Sequence, residues 1–449
     1  MLNFGFNLDK KVSVIFILIF TIISIIDSTI VKYVSYSGNE LPITSYVALF
    51  ILFSIIFAVG SIVLLATVKK NSSNSIYKKS ISLGYFHSIS FSTQLLTVGF
   101  ILTTILQMIF LNKYSINLLI VSTYLTHITA LLFLLFLVYI FVGWLRSRRN
   151  YTIAFYMISF MLISVSITVS AIYLEYFYYR SYSMDRKPYP IYSILVRQEV
   201  TPLSESLSTV FDIVYLASFI AIWIATMALL YEYRYKVGRI KYIILMIIPL
   251  IYYSFTYQSY FGNVFSKMLL ESPITFGVSY VLAFSATKQV GALLFSLTFL
   301  TASAIVTKKE IRNSLLISAI GIALLYGSIE IFTLQYRLYP PFGLVTQAIM
   351  PLGSYLILIG IYISSTNVAK DAELRGEISR SAKRQLGLLK TIGASQMEKE
   401  LVKKFRSVEK HTETSEPTEQ SYSEEDLKQM VREVLNELHP KTKNNTDKT

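Results

Sequence analysis

No cysteine occurs among the 449 residues. Disulfides, thiolate nucleophiles, cysteine-ligated zinc and iron–sulfur clusters are excluded with it. Histidine occurs four times, which leaves little for imidazole-based metal chemistry. Charge is scarce too: Asp, Glu, Lys and Arg make up 15% of residues against 53% apolar ones, and a soluble chain of this length needs far more charged surface. There is no HExxH, no GxSxG, no phosphate-binding glycine loop and no paired-acid outer-loop motif of lipid-linked glycosyl transfer. No catalytic residue, cofactor or metal site is therefore expected, and the chain does not read as an enzyme. The first apolar run has cations before it but no small-residue cleavage site after it, so it reads as a retained signal anchor.

Apolar runs fill the sequence instead, each of about twenty residues or more, from Val12 to Val368. In lipid every backbone N–H and C=O must be paired internally, so spans are helices or closed barrels. These runs do not alternate in short segments as barrel strands do. The expected fold is all-α, a polytopic transmembrane bundle over residues 1–368. About ten spans are expected, roughly at 12–34, 43–68, 81–110, 116–145, 151–179, 207–232, 242–261, 274–306, 314–336 and 344–368.

The net charge of +14 suggests a polyanion, but its distribution argues otherwise. Cations gather in alternate loops: Lys10/Lys11, Lys69/Lys70/Lys78/Lys79, Arg146/Arg148/Arg149, Arg234/Lys236/Arg239/Lys241 and Lys308/Lys309/Arg312. That is the positive-inside pattern of a membrane protein and not a nucleic-acid groove. It predicts a plasma-membrane protein with both termini cytoplasmic, the lipid bilayer as partner and no nucleic acid. Tyrosines crowd the opposite ends, as at Tyr173, Tyr176, Tyr178 and Tyr179, and read as an interfacial aromatic belt or as an aromatic-walled mouth. Pro249 and Pro351 are expected to kink spans 7 and 10.

After residue 368 the composition turns soluble. Residues 369–410 place Leu374, Ile378, Ala382, Leu386 and Leu389 at helical spacing, residues 411–422 form a polar linker around "HTETSEPTEQ", and residues 423–449 hold an amphipathic helix. That last helix carries Leu427, Met430, Val431, Val434, Leu435 and Leu438 on one face. Such a face docks on its own chain, on a second copy or on a cytoplasmic protein partner.

The stretch "NVAKDAELRGEISRSAKRQLGLLKTIGASQMEKELVKKF", Asn367–Phe405, resembles the segment after the last span in a family of multi-pass membrane proteins of ammonia-oxidising archaea. The likeness covers under a tenth of the chain. It implies an archaeal plasma membrane, and it carries over no activity and no site residue.

Ionisable residues inside spans are functional candidates by default, because an ionised group near the bilayer centre costs several kcal/mol or more. Asp27, Glu175, Asp212 and Glu330 all fall in the outer halves of their spans by residue count. Lys288 lies deeper, at about 20 Å from the end of its span. The expectation is that a carboxylate holds it, Glu330 or Asp27 being the deepest, and that these residues line an outward-facing polar vestibule. A structural ion pair that only fixes helix register remains the alternative.

Span 3 carries His87, Ser90, Gln94, Thr97, Thr104 and Gln107 on one face. His127 in span 4 could extend that stripe as a proton relay, and interhelical glue is the plainer role. A bis-histidine haem does not fit, because His87 and His127 differ by roughly 13 Å in depth. Nor do ten spans fit a seven-helix retinal photoreceptor, despite "SATKQVG" around Lys288. Two functions compete. One is a transporter or channel built on the polar vestibule. The other is a sensor that passes an external signal down span 10 to a cytoplasmic partner.

Overall fold

The computed structural model describes residues 10–37, 42–72, 81–147, 150–182, 189–190, 202–254, 287–306, 308–329 and 338–370. Ten described helices each overlap one expected span. These are α1 (Lys10–Ser37), α2 (Ile43–Ser72), α3 (Ile81–Leu111), α4 (Ile116–Ser147), α5 (Tyr151–Tyr182), α6 (Pro202–Val237), α7 (Arg239–Ser254), α8 (Thr287–Ile305), α9 (Lys309–Ser328) and α10 (Leu344–Lys370). Eight of them, all but α7 and α8, are long and apolar enough to cross a membrane. The spans expected at 242–261 and 274–306 lie partly outside the described residues, as does the whole tail after Lys370.

Helix α9 departs from its expected position. It starts five residues earlier than 314 and ends eight short of 336. Glu310 in its first turn complements the helix dipole, so the charged run at Lys309–Arg312 begins the helix rather than preceding it. The only strand pairing among the described residues is a two-residue parallel bridge, β1 (Tyr189–Pro190) with β2 (Leu338–Tyr339). It ties the α5–α6 loop to the α9–α10 loop.

The packing is a ring around a hairpin. Helices α1, α2, α3, α4, α5, α6 and α8 touch in succession, and α8 closes back on α1. Inside stand α9 and α10, each other's principal neighbour, with α10 also against α1, α2, α3 and α4. Helix α7 packs outside the ring on α6 and α8. The apolar window of α9 is 94% buried and that of α10 wholly buried, against 33–56% for α1–α6. The ring helices and α7 therefore carry the exposed apolar faces, with Ile55, Leu95, Leu102, Ile128, Leu135 and Ile213 exposed on the ring and Ile240, Ile244 and Ile251 exposed on α7.

Two helices enclosed by others gain nothing from apolarity toward lipid. In a membrane, helix association relies on close packing and interhelical hydrogen bonds, which favours small residues. The α9–α10 contact is built that way. A methyl group at Gly321 would stand 2.6 Å from the Ile357 amide nitrogen, and one at Gly353 would stand 2.6 Å from the Leu325 amide nitrogen. Gly360 lies equally close to the backbone of Ser314 and Ser318. The two backbones touch along three successive levels.

This seam makes a direct prediction. Gly353→Ala should destabilise the detergent-solubilised protein by about 1–3 kcal/mol, because backbone must move to admit the methyl group. Gly99→Ala on the outer face of α3, where no atom lies within 4 Å, should be neutral or slightly stabilising. Thermal unfolding of the two variants beside the parent checks both.

Candidate functional site

The turn into α10 begins at Gly343, whose φ of +92° places it in the region that glycine reaches freely. Its carbonyl accepts the first helical bond from Gln347 N–H at 3.0 Å. A glycine at this position supplies backbone geometry but no capping oxygen, and the first amides of α10 need an acceptor. Helix α1 provides it. Asp27 Oδ2 accepts both the Thr346 backbone N–H and the Thr346 hydroxyl, each at 2.8 Å. The Gly343 amide also faces this carboxyl group, though outside strict bonding geometry, and Oδ1 is left without a hydrogen-bond partner. Asp27 itself is fully buried.

One turn earlier on α1, Ser24 Oγ donates to Gly327 O at 2.7 Å. That carbonyl belongs to the last turn of α9, where helical partners run out. Thus a single turn of α1 serves both ends of the hairpin: a hydroxyl for the carbonyl end of α9 and a carboxylate for the amide end of α10. Asp27 is therefore engaged by the start of α10.

Further along α10, successive residues meet the ring. Gln347 Oε1 accepts from Thr123 Oγ1 of α4 at 3.0 Å. His127, buried one turn below, places Nδ1 2.8 Å from Thr123 O. A carbonyl only accepts, so Nδ1 carries the proton. The Ala348 carbonyl accepts from Gln94 Nε2 of α3 at 3.2 Å. Tyr355 Oη lies 2.8 Å from His87 Nδ1. Thr97 donates to Thr93 O within α3, and Thr93 meets Thr129 of α4 at 3.2 Å. His87, Gln94 and Asp27 thus bond to α10, whereas His127 and Thr97 bond to carbonyls of their own helices. Ser90 Oγ, Gln94 Oε1 and Ser122 Oγ are buried without hydrogen-bond partners, which is the condition that ordered internal water relieves.

Pro351 lies within α10. It lacks the N–H that would bond the Gln347 carbonyl one turn back, so the ladder is interrupted at the level of Gln347 and Ala348. A second buried cluster joins α5, α6 and α9: Ser159, Ser218 and Tyr326 share hydroxyl contacts, with Ser159 Oγ 2.9 Å from Ser218 O.

The other expected site residues stand elsewhere. Glu175 is exposed on α5 and within hydrogen-bond reach of Tyr124 on α4. Asp212 is half-buried on α6. Both belong to the ring. Lys288 stands in the first described turn of α8, with its side chain outside what is described, and Glu330 lies just past α9, outside the described residues. Thr346, Gln347 and Tyr355 were not anticipated. They are ordinary polar residues in an apolar span, and only a helical-wheel reading of span 10 against the stripe of span 3 could have signalled them. No family model matches the chain, and no curated protein or solved structure matches it either.

The two roles of Asp27, acceptor and charge, can be separated. Asn keeps an oxygen able to cap α10, so Asp27→Asn should stay within about 1 kcal/mol of the parent. Asp27→Ala leaves the Thr346 amide and hydroxyl buried and unpaired, at a cost of about 2–4 kcal/mol. Chemical or thermal unfolding in one detergent distinguishes them.

Proposed function

We propose that the chain is a transporter in which α10 is the gating element and Asp27 the charge that couples to a proton or cation. What carries this reading is the Asp27 carboxylate, fully buried, bonded through one oxygen to α10 and unpartnered at the other. An intramembrane carboxylate with spare acceptor capacity can exchange partners between states. Helix starts enclosed within a bundle, interrupted ladders and polar residues near the midplane are what alternating access uses. Here the interruption at Pro351, the polar contacts of Gln347 and Ala348, and the Tyr355 hydroxyl beside His87 of α3 fall on one helix. Lys288, Glu330, Asp212 and Glu175 would line the mouth on the Asp27 side. By the distribution of cations that side is the outer one, and by the resemblance of the Asn367–Phe405 segment the membrane is an archaeal plasma membrane.

One observation favours a sensor instead. The most enclosed helix, α10, is also the one that leads directly to the tail at Lys370. A ligand that displaced Asp27 would shift the helix from which the tail departs.

Because the chain has no cysteine, a single Gln347→Cys variant reports access without background. A membrane-impermeant maleimide should label it from either side of oriented vesicles, and Asp27→Asn should restrict labelling to one side. Labelling from one side only in both forms, with output lost on deletion after Lys370, would identify a sensor. Protection from both sides in every form would leave only a structural role.

A further inference from the structure

Outside the ring, between the start of α5, the later part of α6 and the start of α7, runs a groove of about 600 Å³. It lies at the end of the bundle opposite Asp27, since α5 begins here and reaches Glu175 beside α4's first turns. Its floor is Trp223, Ile224, Met227 and Ala228, and its upper walls are Tyr151, Tyr231 and Tyr242. The geometry is fixed from within. Trp223 Nε1–H donates to Met246 O at 2.9 Å, and the Tyr231 and Tyr242 rings meet edge-on at 6.2 Å across the Gly238 turn. From Tyr231 to Trp223 the groove descends about 12 Å along α6. After Tyr231 the sequence turns from the apolar run "FIAIWIATMALLY" to the charged stretch "EYRYK", so the mouth stands where α6 becomes charged and the floor stands beside its apolar run.

Charge flanking the groove in sequence is mostly positive. Arg146, on the last turn of α4 four residues before Asn150, and Arg239, on the first turn of α7 three residues before Tyr242, are exposed. The flanking sequences add Arg148, Arg149, Arg234, Lys236 and Lys241, and Glu232 is the one acid between Phe141 and Ser254 in these two loops. We propose that this groove is a binding site for an anionic phospholipid, its phosphate at the Arg146/Arg239 level and the upper part of one acyl chain along Trp223 and Ile224. A polar mouth ringed by tyrosine and arginine over an apolar slot that points into the bilayer matches that ligand along its length. A peptide helix lying on the membrane surface would cover the mouth but not fill a slot directed into lipid.

Trp223 is a built-in reporter, one of two tryptophans. The full chain with Trp144→Phe is reconstituted in phosphatidylcholine vesicles containing a minor fraction of brominated phosphatidylglycerol or brominated phosphatidylcholine, and quenching is compared. The expected result is a relative association constant favouring the anionic lipid by about fivefold or more, falling toward one in the Arg146→Gln/Arg239→Gln double variant. Should Trp144→Phe not fold, the difference between the parent and Trp223→Phe isolates the same signal. Equal quenching by both lipids overturns the proposal, as does a preference that survives loss of both arginines. Release of quenching by soluble glycerol phosphate would assign the mouth to free phosphate. A preference that appears only after deletion of residues 371–449 would assign the groove to the tail. Either result overturns the lipid assignment.

Discussion

One turn of α1 holds the central hairpin. Ser24 and Asp27 are three residues apart, so they share a face, and that face meets the place where α9 ends and α10 begins. The unpaired carbonyls of one helix and the unpaired amides of the other would be costly in a bundle surrounded by lipid, because no bulk water reaches them. A hydroxyl for the first and a carboxylate for the second meet that need with side chains. The remainder of the fold follows from it. With these two helix ends met by side chains of α1, the hairpin can sit inside a ring, and there it packs backbone to backbone through Gly321, Gly353 and Gly360.

Enclosure also explains where the polar residues lie. On a ring helix a glutamine or histidine has a choice between lipid and interior; Gln94 and His87 turn inward to α10, while His127 is buried and bonds to the Thr123 carbonyl of its own helix. Helix α10 in turn presents Thr346, Gln347, the Ala348 carbonyl and Tyr355 to three different helices. The hairpin is therefore rigid along its seam with α9 and hydrogen-bonded on its other side, with the ladder interrupted near Pro351 between the two contacts. Rigid on one flank and exchangeable on the other is the mechanical arrangement that a gate needs.

Much of this was legible in the residues. Run length and hydropathy locate the eight described helices that are long and apolar enough to cross a membrane, with α9 displaced, because the bilayer imposes a length that composition must meet. The cost of burying charge marks Asp27 together with Glu175, Asp212, Lys288 and Glu330, and of the three acids described Asp27 alone is fully buried. The spacing of His87, Gln94 and Thr97 marks the inner face of α3. The ring was not legible. Hydropathy reports that a helix is apolar and not whether its neighbours are lipid or protein, so α9 and α10 read like any other spans. Their faint signal was a run of small residues, Ser314, Ser318, Gly321, Gly353 and Gly360, among otherwise bulky spans. The partner of Asp27 was equally hidden. An acid inside a membrane invites a cationic partner, whereas the start of a helix carries its positive end without any charged residue to display it.

The central claim is that α10 is the most protected element of the molecule and that Asp27 secures its first turn. Hydrogen–deuterium exchange of the full chain in lipid nanodiscs, read by segment, tests it most directly. Residues 344–360 should exchange more slowly than the corresponding stretch of α3, and Asp27→Ala should speed exchange at 344–348 while leaving α3 unchanged. If α10 exchanges as fast as a ring helix, or if removing the carboxylate leaves residues 344–348 as protected as before, the hairpin is not held as described.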